Sequence, residues 1–518
     1  DGEIIAVSGD TVTVISDGEL EKLLKDGGIK KRVHDFKNLS KKYPDIAGVR
    51  FDTMLAAYLC NPSASSYATD RIIAEYAPYE PEIEGETDEF IKSSCLFSLA
   101  CDTLENELEK TGQKKLFDEI ELPLARVLGE MELCGFSADV NGLKALSSEL
   151  DTRIKSLESE IYSLVGYEFN LNSPKQLGVA LFEKLGLPAK KKTKSGYSTG
   201  AEVLEGLKNE HPAVSLLLNY RQLAKLKSTY ADGLQDCIAE DGRIHSTFNQ
   251  TEARTGRISS LEPNLQNIPV RTAEGRRLRE YFNAPAGRVL CDADYSQIEL
   301  RVLASMSGDT NMINAFGSGT DIHTVTASQV FGLPQDMITP ELRSRAKAVN
   351  FGIVYGIGAF SLSKDIGVTR AEADRYIKSY LAAYPDVAAY MEKAIEDAKK
   401  NGFVTTLYGR RRYIPELSNS NGNMRAFGER VARNAPIQGT AADIIKIAMI
   451  KVSRSLKEEF PTARLILQVH DELIVECDEK DAEDICTLLE REMENAADLA
   501  VRLTAEAHFG KTWLEAKA

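Results

Sequence analysis

The chain contains no CxxC pair, no internal repeat, no low-complexity segment and no apolar run approaching the length of a membrane span. Its eight cysteines (Cys60, Cys95, Cys101, Cys134, Cys237, Cys291, Cys477, Cys486) make no metal-binding spacing with the six histidines. That argues against structural zinc and fits a reducing compartment. No basic–apolar–small leader stands at Asp1, so export is not expected and a cytoplasmic location is. The chain starts without Met, in a strand-like run, as a fragment of a longer protein would. Basic residues are in deficit, 63 against 78 acidic, for a net charge of −15. Net charge concerns solubility and long-range steering rather than any one groove. Cations still gather locally at 190–194 (KKKTK), at Arg254 and Arg257, at Arg271, Arg276, Arg277 and Arg279, and at 410–412. Such strips can hold nucleic acid with a salt-sensitive affinity.

At 518 residues the chain is too long for one core and suggests about three or four domains. Hydrophobic residues at 43% and charged ones at 27% place it in the soluble, globular class. Residues 1–60 mix strand-like and helix-like runs, with a hairpin expected about Gly9–Asp10. The acidic stretch 80–89 reads as a solvated loop, and a first domain ends near 115. From Leu122 to about Cys237 the pattern is helical, including a long helix over 141–165. The string AKKKTKSGYST within it is either a solvated loop or a phosphate contact at the tip of a helical arm. After Gly242 comes TGRISSLEPNLQNIPVRT, polar, weakly periodic and too long for an idle connection. RVLCDADYSQIEL (288–300) reads as a strand, FVTTLYGRRRYIP as a hairpin, and ARLILQVHDELIVEC as a second hairpin about His470–Glu472.

Two patterns carry chemistry. In RSRAKAVNFGIVYG, Arg343, Lys347, Phe351 and Tyr355 recur in steps of four, a drift of about 40° per step, so they share one helical stripe. Two cations followed by two aromatics suit a nucleotide, with phosphates on the cations and base and sugar against the rings. An amphipathic helix with core aromatics and solvated cations is the alternative. The second pattern is acidic. Asp294 ends an apolar strand, and Asp471 and Glu472 stand at the tip of an apolar hairpin. Burying uncompensated carboxylates costs several kcal/mol, and a divalent cation is the usual compensation; solvated turn acids are the other reading.

DYSQIELR (294–301), RxxxKxxxFGxxYG (343–356) and QVHDE (468–472), in this order, resemble motifs A, B and C of the family A DNA polymerases, the bacterial DNA polymerase I type. TGRISSLEPNLQNIP (255–269), DIHT (321–324), YGRRRY (408–413) and RVARNAPIQGTAAD (430–443) match the same family, over about residues 119–518. The resemblance implies an α/β multidomain chain with a right-hand polymerase of palm, fingers and thumb. The boundaries are 1–115 for an N-terminal ribonuclease-H-like, 3′–5′ exonuclease-type domain, 116–236 for a linker and helical thumb, 237–302 and 459–518 for the palm, and 303–458 for the fingers. It also implies a monomeric, template-directed DNA polymerase acting in replication and repair. Its partners would be primer–template DNA and deoxyribonucleoside triphosphates, with no membrane, and its cofactor two Mg²⁺ ions, for which Mn²⁺ can substitute.

By the same resemblance, Asp294 and Asp471 hold the metals with the Tyr295 carbonyl, and Glu472 is the neighbouring acid. Arg343, Lys347 and His323 bind the triphosphate, and Lys347 protonates the leaving pyrophosphate. Phe351 backs the nascent pair, Tyr355 closes the template side, and Gly356 gives the helix a hinge. Gln297 lies in the nucleotide site, and Glu299 walls off the sugar 2′ position. Arg257, Asn264, Gln266, Asn267, Arg271, Arg430, Asn434, Gln438, Gln468 and His470 contact the primer–template, where minor-groove acceptors are present at every pair. Asp292 departs from the small residue usual there and is assigned no role.

FDTMLAAYLCNP (51–62) resembles, more weakly, the family's exonuclease domain. The DxE pair of its first strand is missing, Leu39 and Leu99 stand where acids are expected, and Asp102 is out of register. An inactive domain kept as a platform is therefore expected, and no 5′-nuclease domain is seen. A nuclease, a dead DNA-binding scaffold and a single-subunit RNA polymerase are the competing readings. The missing acids, the presence of Asp294, Asp471 and Lys347, and Glu299 with Phe351 and Tyr355 speak against them in turn.

Overall fold

The computed structural model describes residues 4–8, 11–79, 89–189, 192–193, 196–270 and 272–517. Arg271, most of the basic string 190–194, the Gly9–Asp10 turn and residues 80–88 of the acidic stretch lie outside the described residues. The chain forms two compact units, one of residues 1–134, 247–261 and 287–509, the other of 135–246, 262–286 and 510–518. No helix among the described residues is long and apolar enough to cross a membrane.

The first unit is built on a four-stranded sheet in the order Arg464–Val469, Glu472–Asp478, Arg288–Tyr295, Ala505–Gly510. Residues 289–293 are buried whichever face they point to, so the strand reads as a continuous apolar run interrupted only by Asp292. The strand stops at Tyr295, five residues short of the expected 300. Gln297 takes a left-handed conformation (φ 49°), and Ile298, Glu299 and Leu300 open the helix Ile298–Ser307. A short run such as QIEL fits both periods, so periodicity alone placed it wrongly.

The hairpin expected over 463–477 is present, as strands over 464–469 and 472–478. Val469 pairs with Glu472 across a two-residue turn of His470 and Asp471, and His470 supplies the left-handed conformation (φ 55°). The helix carrying the step-of-four stripe runs Pro340–Val354, with Thr339 accepting from the Leu342 amide at 3.3 Å and Pro340 in its first turn. Gly356 (φ 65°) follows its end, so this glycine terminates the helix rather than hinging it. The stripe of Arg430, Asn434 and Gln438 lies on one 38-residue helix, Gly422–Glu459, which continues through Pro436.

In the N-terminal part, Lys31–Val33 pairs in parallel with Val49–Asp52. Asp52 is fully buried and caps the helix Thr53–Cys60, accepting from Met54 (2.8 Å), Leu55 (3.3 Å) and Phe36 (2.6 Å) amides. Burial raises its carboxyl to about 6 against those three donors. Leu39 packs on the apolar core of this part, and Asp102 is ion-paired with Arg32 at 2.6 Å.

A buried charge quartet stands where this part meets the rest of the unit. Glu121 comes from a π-helical turn (Phe117–Glu121), Arg410 from the loop closing the hairpin of Phe403–Thr405 and Arg411–Tyr413, and Asp443 and Lys446 from the long helix. Arg410 donates to Asp443 Oδ1 (2.9 and 2.6 Å) and to Glu121, and Lys446 donates to Glu121 at 2.7 Å. All four side chains are buried, so removing one partner strands another charge, at about 3–5 kcal/mol.

The second unit is mainly helical. Val140–Val165, longer by one residue at its start than expected, packs against Pro212–Lys225. Trp513 packs on Phe136 and Phe282, with Arg279 4.1 Å above its ring.

Candidate active site

The two central strands bring the carboxylates together. Asp294 stands opposite Glu472 in the register, and the Tyr295 amide donates to the Asp471 carbonyl at 3.1 Å. Asp294 and Asp471 are therefore neighbours at one end of the sheet, both partly exposed, while Glu472 is buried. Tyr295 is buried, its hydroxyl donating to the Met493 carbonyl at 2.6 Å, which fixes the strand end from behind. Carboxylates and backbone carbonyls are hard oxygen donors of the kind Mg²⁺ takes, while no group of three or more His, Cys, Asp or Glu able to hold a metal stands together among the described residues. Asp292 is buried two residues further down the same strand, opposite Ile474.

The helix Pro340–Val354 carries the expected stripe. Arg343 and Lys347 are exposed, the Phe351 ring is half-buried, and Tyr355 caps the helix end. Lys347 Nζ lies 6.0 Å from the Phe351 ring centroid, and the Phe351 and Tyr355 rings stack at 6.2 Å with an 18° interplanar angle. Arg343 is already paired. Its Nε and Nη2 each donate to Asp321 at 2.9 Å, a bidentate pair. Burial works to raise the Asp321 carboxyl, but Arg343 and the Thr324 donors hold it below the usual range.

His323 is buried, its ring centroid 6.1 Å from that of Phe351 and its Nδ1 3.0 Å from the Asn350 amide nitrogen. Burial first, then the charges of Lys347 and Arg343 against that of Asp321, lower it to about 4, so it is neutral near pH 7. Glu299 is buried with one oxygen 2.8 Å from Arg257 Nη2. Burial raises the Tyr355 hydroxyl to about 12, helped by the neighbouring Glu299 charge. Gln297 sits in the turn before Glu299, its Oε1 accepting from Ser296 Oγ at 3.0 Å.

The residues expected on DNA divide. Arg430 is exposed on the long helix, stacked over Phe427, and approaches Gly356 so closely that a Cβ there would meet its backbone at 3.4 Å. Asn434 donates to the Val354 carbonyl at 3.2 Å, which ties the long helix to the end of the helix Pro340–Val354, and Gln438 is half-buried one turn on. Gln468 donates to the His470 carbonyl at 2.5 Å, and His470 is exposed. Arg257 is engaged with Glu299. Asn264, Gln266 and Asn267 belong to the second unit. There Asn264 caps a short turn by accepting from Gln266 at 3.0 Å, and the Asn267 carbonyl accepts from Tyr230 at 2.5 Å. Sequence reading missed Asp321 as the partner of Arg343, Asn350 as the partner of His323, and the Arg257–Glu299 pair.

Residues 140–515 match DNA polymerase family A, and residues 3–86 match the DNA polymerase I ribonuclease H-like domain. DNA polymerase I of Bacillus subtilis is 46% identical over 492 residues, 91% of this chain and 56% of that protein. The Geobacillus stearothermophilus DNA polymerase I is 44% identical over 98% of this chain and 60% of its own length. The chain thus spans little more than half of these curated relatives. Among solved structures, the POL domain of Pol1 from M. smegmatis, in complex with DNA primer-template and dNTP, superposes with a TM-score of 0.90. It is 41% identical, and the match covers 97% of this chain and 89% of that one. The fold is that of a polymerase of the right-hand kind with a ribonuclease-H-like N-terminal part. The chain belongs to DNA polymerase family A.

Proposed function

We propose that this chain is a template-directed DNA polymerase extending a primer 3′ end with deoxyribonucleotides, as a cytoplasmic monomer serving replication and repair. The observation that carries the reading is the tie between the strand ends bearing Asp294 and Asp471, the Tyr295 amide donating to the Asp471 carbonyl at 3.1 Å. These two carboxylates and the Tyr295 carbonyl would hold two Mg²⁺ ions, or Mn²⁺ in their place. When bound there, the ions would activate the primer hydroxyl and offset charge on the leaving oxygens. The primer oxygen bonds the α-phosphorus, the bridging α–β bond breaks, and pyrophosphate leaves.

The remaining roles belong to side chains. Arg343 and Lys347 face the phosphates, and neutral His323 can offer one N–H to them. Lys347 is the proton donor to pyrophosphate. Phe351 and Tyr355 present ring faces to the nascent pair, and Glu299 leaves no polar room for a 2′-hydroxyl. Arg257, Asn264, Gln266, Asn267, Arg271, Arg430, Asn434, Gln438, Gln468 and His470 follow the duplex. The subdomain boundaries at 115, 236, 302 and 458 are part of the same reading.

We also infer that proofreading is absent. Leu39 is apolar core, Leu99 is half-buried on the helix Glu89–Lys110, and the nearby acid Asp102 is spent on Arg32. A primer-extension assay with matched and mismatched 3′ ends, and with deoxy- and ribonucleotides, tests the whole reading. Matched primers should extend with deoxynucleotides only and mismatched ends should persist. No extension of matched primers would overturn it.

A further inference from the structure

Arg257 does not reach Glu299 from a loose loop. It follows Gly256 (φ 86°), whose amide closes the turn on the Ala253 carbonyl at 3.0 Å. That carbonyl also accepts from the Tyr58 hydroxyl at 2.7 Å, and Tyr58 belongs to the N-terminal part, on the helix Thr53–Cys60. On its other side Gly256 lies flat against the Arg410 guanidinium, where a Cβ would collide. Arg410 is itself immobilised by Asp443 and Glu121. The Glu121 carbonyl accepts from Gln250 at 2.8 Å, just upstream of the same turn. The Thr255 carbonyl is closed in by the long helix, 3.2 Å from where a Cβ of Gly439 would stand.

We infer that Tyr58 and the Glu121–Arg410–Asp443–Lys446 quartet are positioning residues for sugar selection, acting through the 253–257 turn on the Arg257–Glu299 pair. The inference rests on the proposed role of Glu299. The chain of contacts is short and rigid. The N-terminal part holds the turn, the turn aims Arg257, and Arg257 holds one oxygen of a buried carboxylate. The other oxygen, Oε2, is buried with no hydrogen-bond partner among the described residues, and the Glu299 charge acts on the Tyr355 hydroxyl beside it. An unaimed Glu299 would be able to turn towards Tyr355 or away from the sugar, and the 2′ position would lose its wall. The N-terminal part thereby has a task that needs no metal-binding acids of its own: it holds the turn from which the sugar gate is set.

The test is the ratio of incorporation efficiencies for deoxy- over ribonucleotide, in the full chain. Both nucleotides are read on one preparation, so the ratio does not depend on how much of it is folded. Tyr58→Phe keeps the ring and removes one hydrogen bond, and should lower the ratio about three- to fivefold; Glu121→Gln should lower it about tenfold. Glu299→Ala should lower it more than either, and adding Tyr58→Phe to Glu299→Ala should change nothing further, because the route ends at Glu299. A Tyr58→Phe ratio equal to wild type, or a fall of the same factor in both backgrounds, overturns the inference while leaving the sugar gate intact. If Glu299→Ala alone leaves the ratio unchanged, the gate itself is wrong and the inference falls with it. Should Glu121→Gln not fold, Tyr58→Phe carries the test alone.

Discussion

Arg343 and Asp321 form a bidentate ion pair, two donors at 2.9 Å, across the start of the helices Ile322–Phe331 and Pro340–Val354. The proposed triphosphate ligand is therefore already neutralised by a carboxylate that also caps the helix Ile322–Phe331. An incoming phosphate must displace or share Arg343. The pair is partly exposed, so its worth is up to about 1 kcal/mol. Asp321→Asn keeps an oxygen for the cap and removes the competing charge. The Michaelis constant for nucleotide should fall about two- to fivefold with turnover little changed. A rise in that constant would show that Asp321 aims Arg343 rather than competing for it.

His323 should titrate far below an ordinary imidazole. Burial and the two nearby cations hold it neutral down to about 4, against 6.5 when exposed. The unfolded chain thus binds a proton that the folded chain refuses between those values. Stability contributed by neutral His323 is complete above 6.5 and is lost as pH falls towards 4, by about 2 kcal/mol on reaching pH 5. NMR titration of labelled histidine, assigned with His323→Gln, should give a midpoint below 5. A midpoint near 6.5 would mean the ring is hydrated and not packed against Phe351.

Phe351 stands with its ring between His323 and Tyr355, and nothing polar of its own can reach a sugar. A normal substrate's 3′-hydroxyl can bond within its own triphosphate, whereas a dideoxynucleotide loses that contact and Phe does not replace it. The loss is about 1.5–3 kcal/mol, roughly ten- to a hundredfold in rate. Wild type should discriminate against dideoxynucleotides, and Phe351→Tyr should largely erase the difference with little change in normal extension. An unchanged ratio in the mutant would remove Phe351 from the sugar.

Labelled single strands incubated with Mg²⁺ and no nucleotide should keep their length. Asp52 is the one acid of the FDTM segment, and it is consumed as a buried helix cap accepting four amides, those of Asp35, Phe36, Met54 and Leu55. Shortening from the 3′ end that disappears on mutating residues 1–115 would show a metal site that the Leu39 and Leu99 positions argue against.

The strand at 288–295 was legible as a short apolar run, the hairpin at 464–478 as an alternation and the stripe at 343–355 as a step of four in the sequence. Gln297 hid the end of its strand, since a non-glycine left-handed residue has no strong sequence signal. Pro436 would ordinarily end a helix, yet the helix passes through it, with Ala435, Pro436 and Ile437 all buried in the unit. The ion pairs were not legible at all. Arg257 and Glu299 are 42 residues apart and Arg410 and Glu121 are 289 apart, and no spacing rule selects one partner among 78 acids. These pairs decide how available Arg343, Arg257 and Glu299 are, so the placement of the strand, hairpin and stripe was readable and the electrostatic state of their side chains was not.

The most direct measurement is single-nucleotide extension of a primed template by Asp294→Ala and Asp471→Ala, with duplex affinity measured alongside. Both variants should lose nearly all extension while duplex binding stays within about threefold of wild type, because phosphate contacts remain when the metal donors are gone. Extension by Asp471→Ala at the wild-type rate would contradict the account.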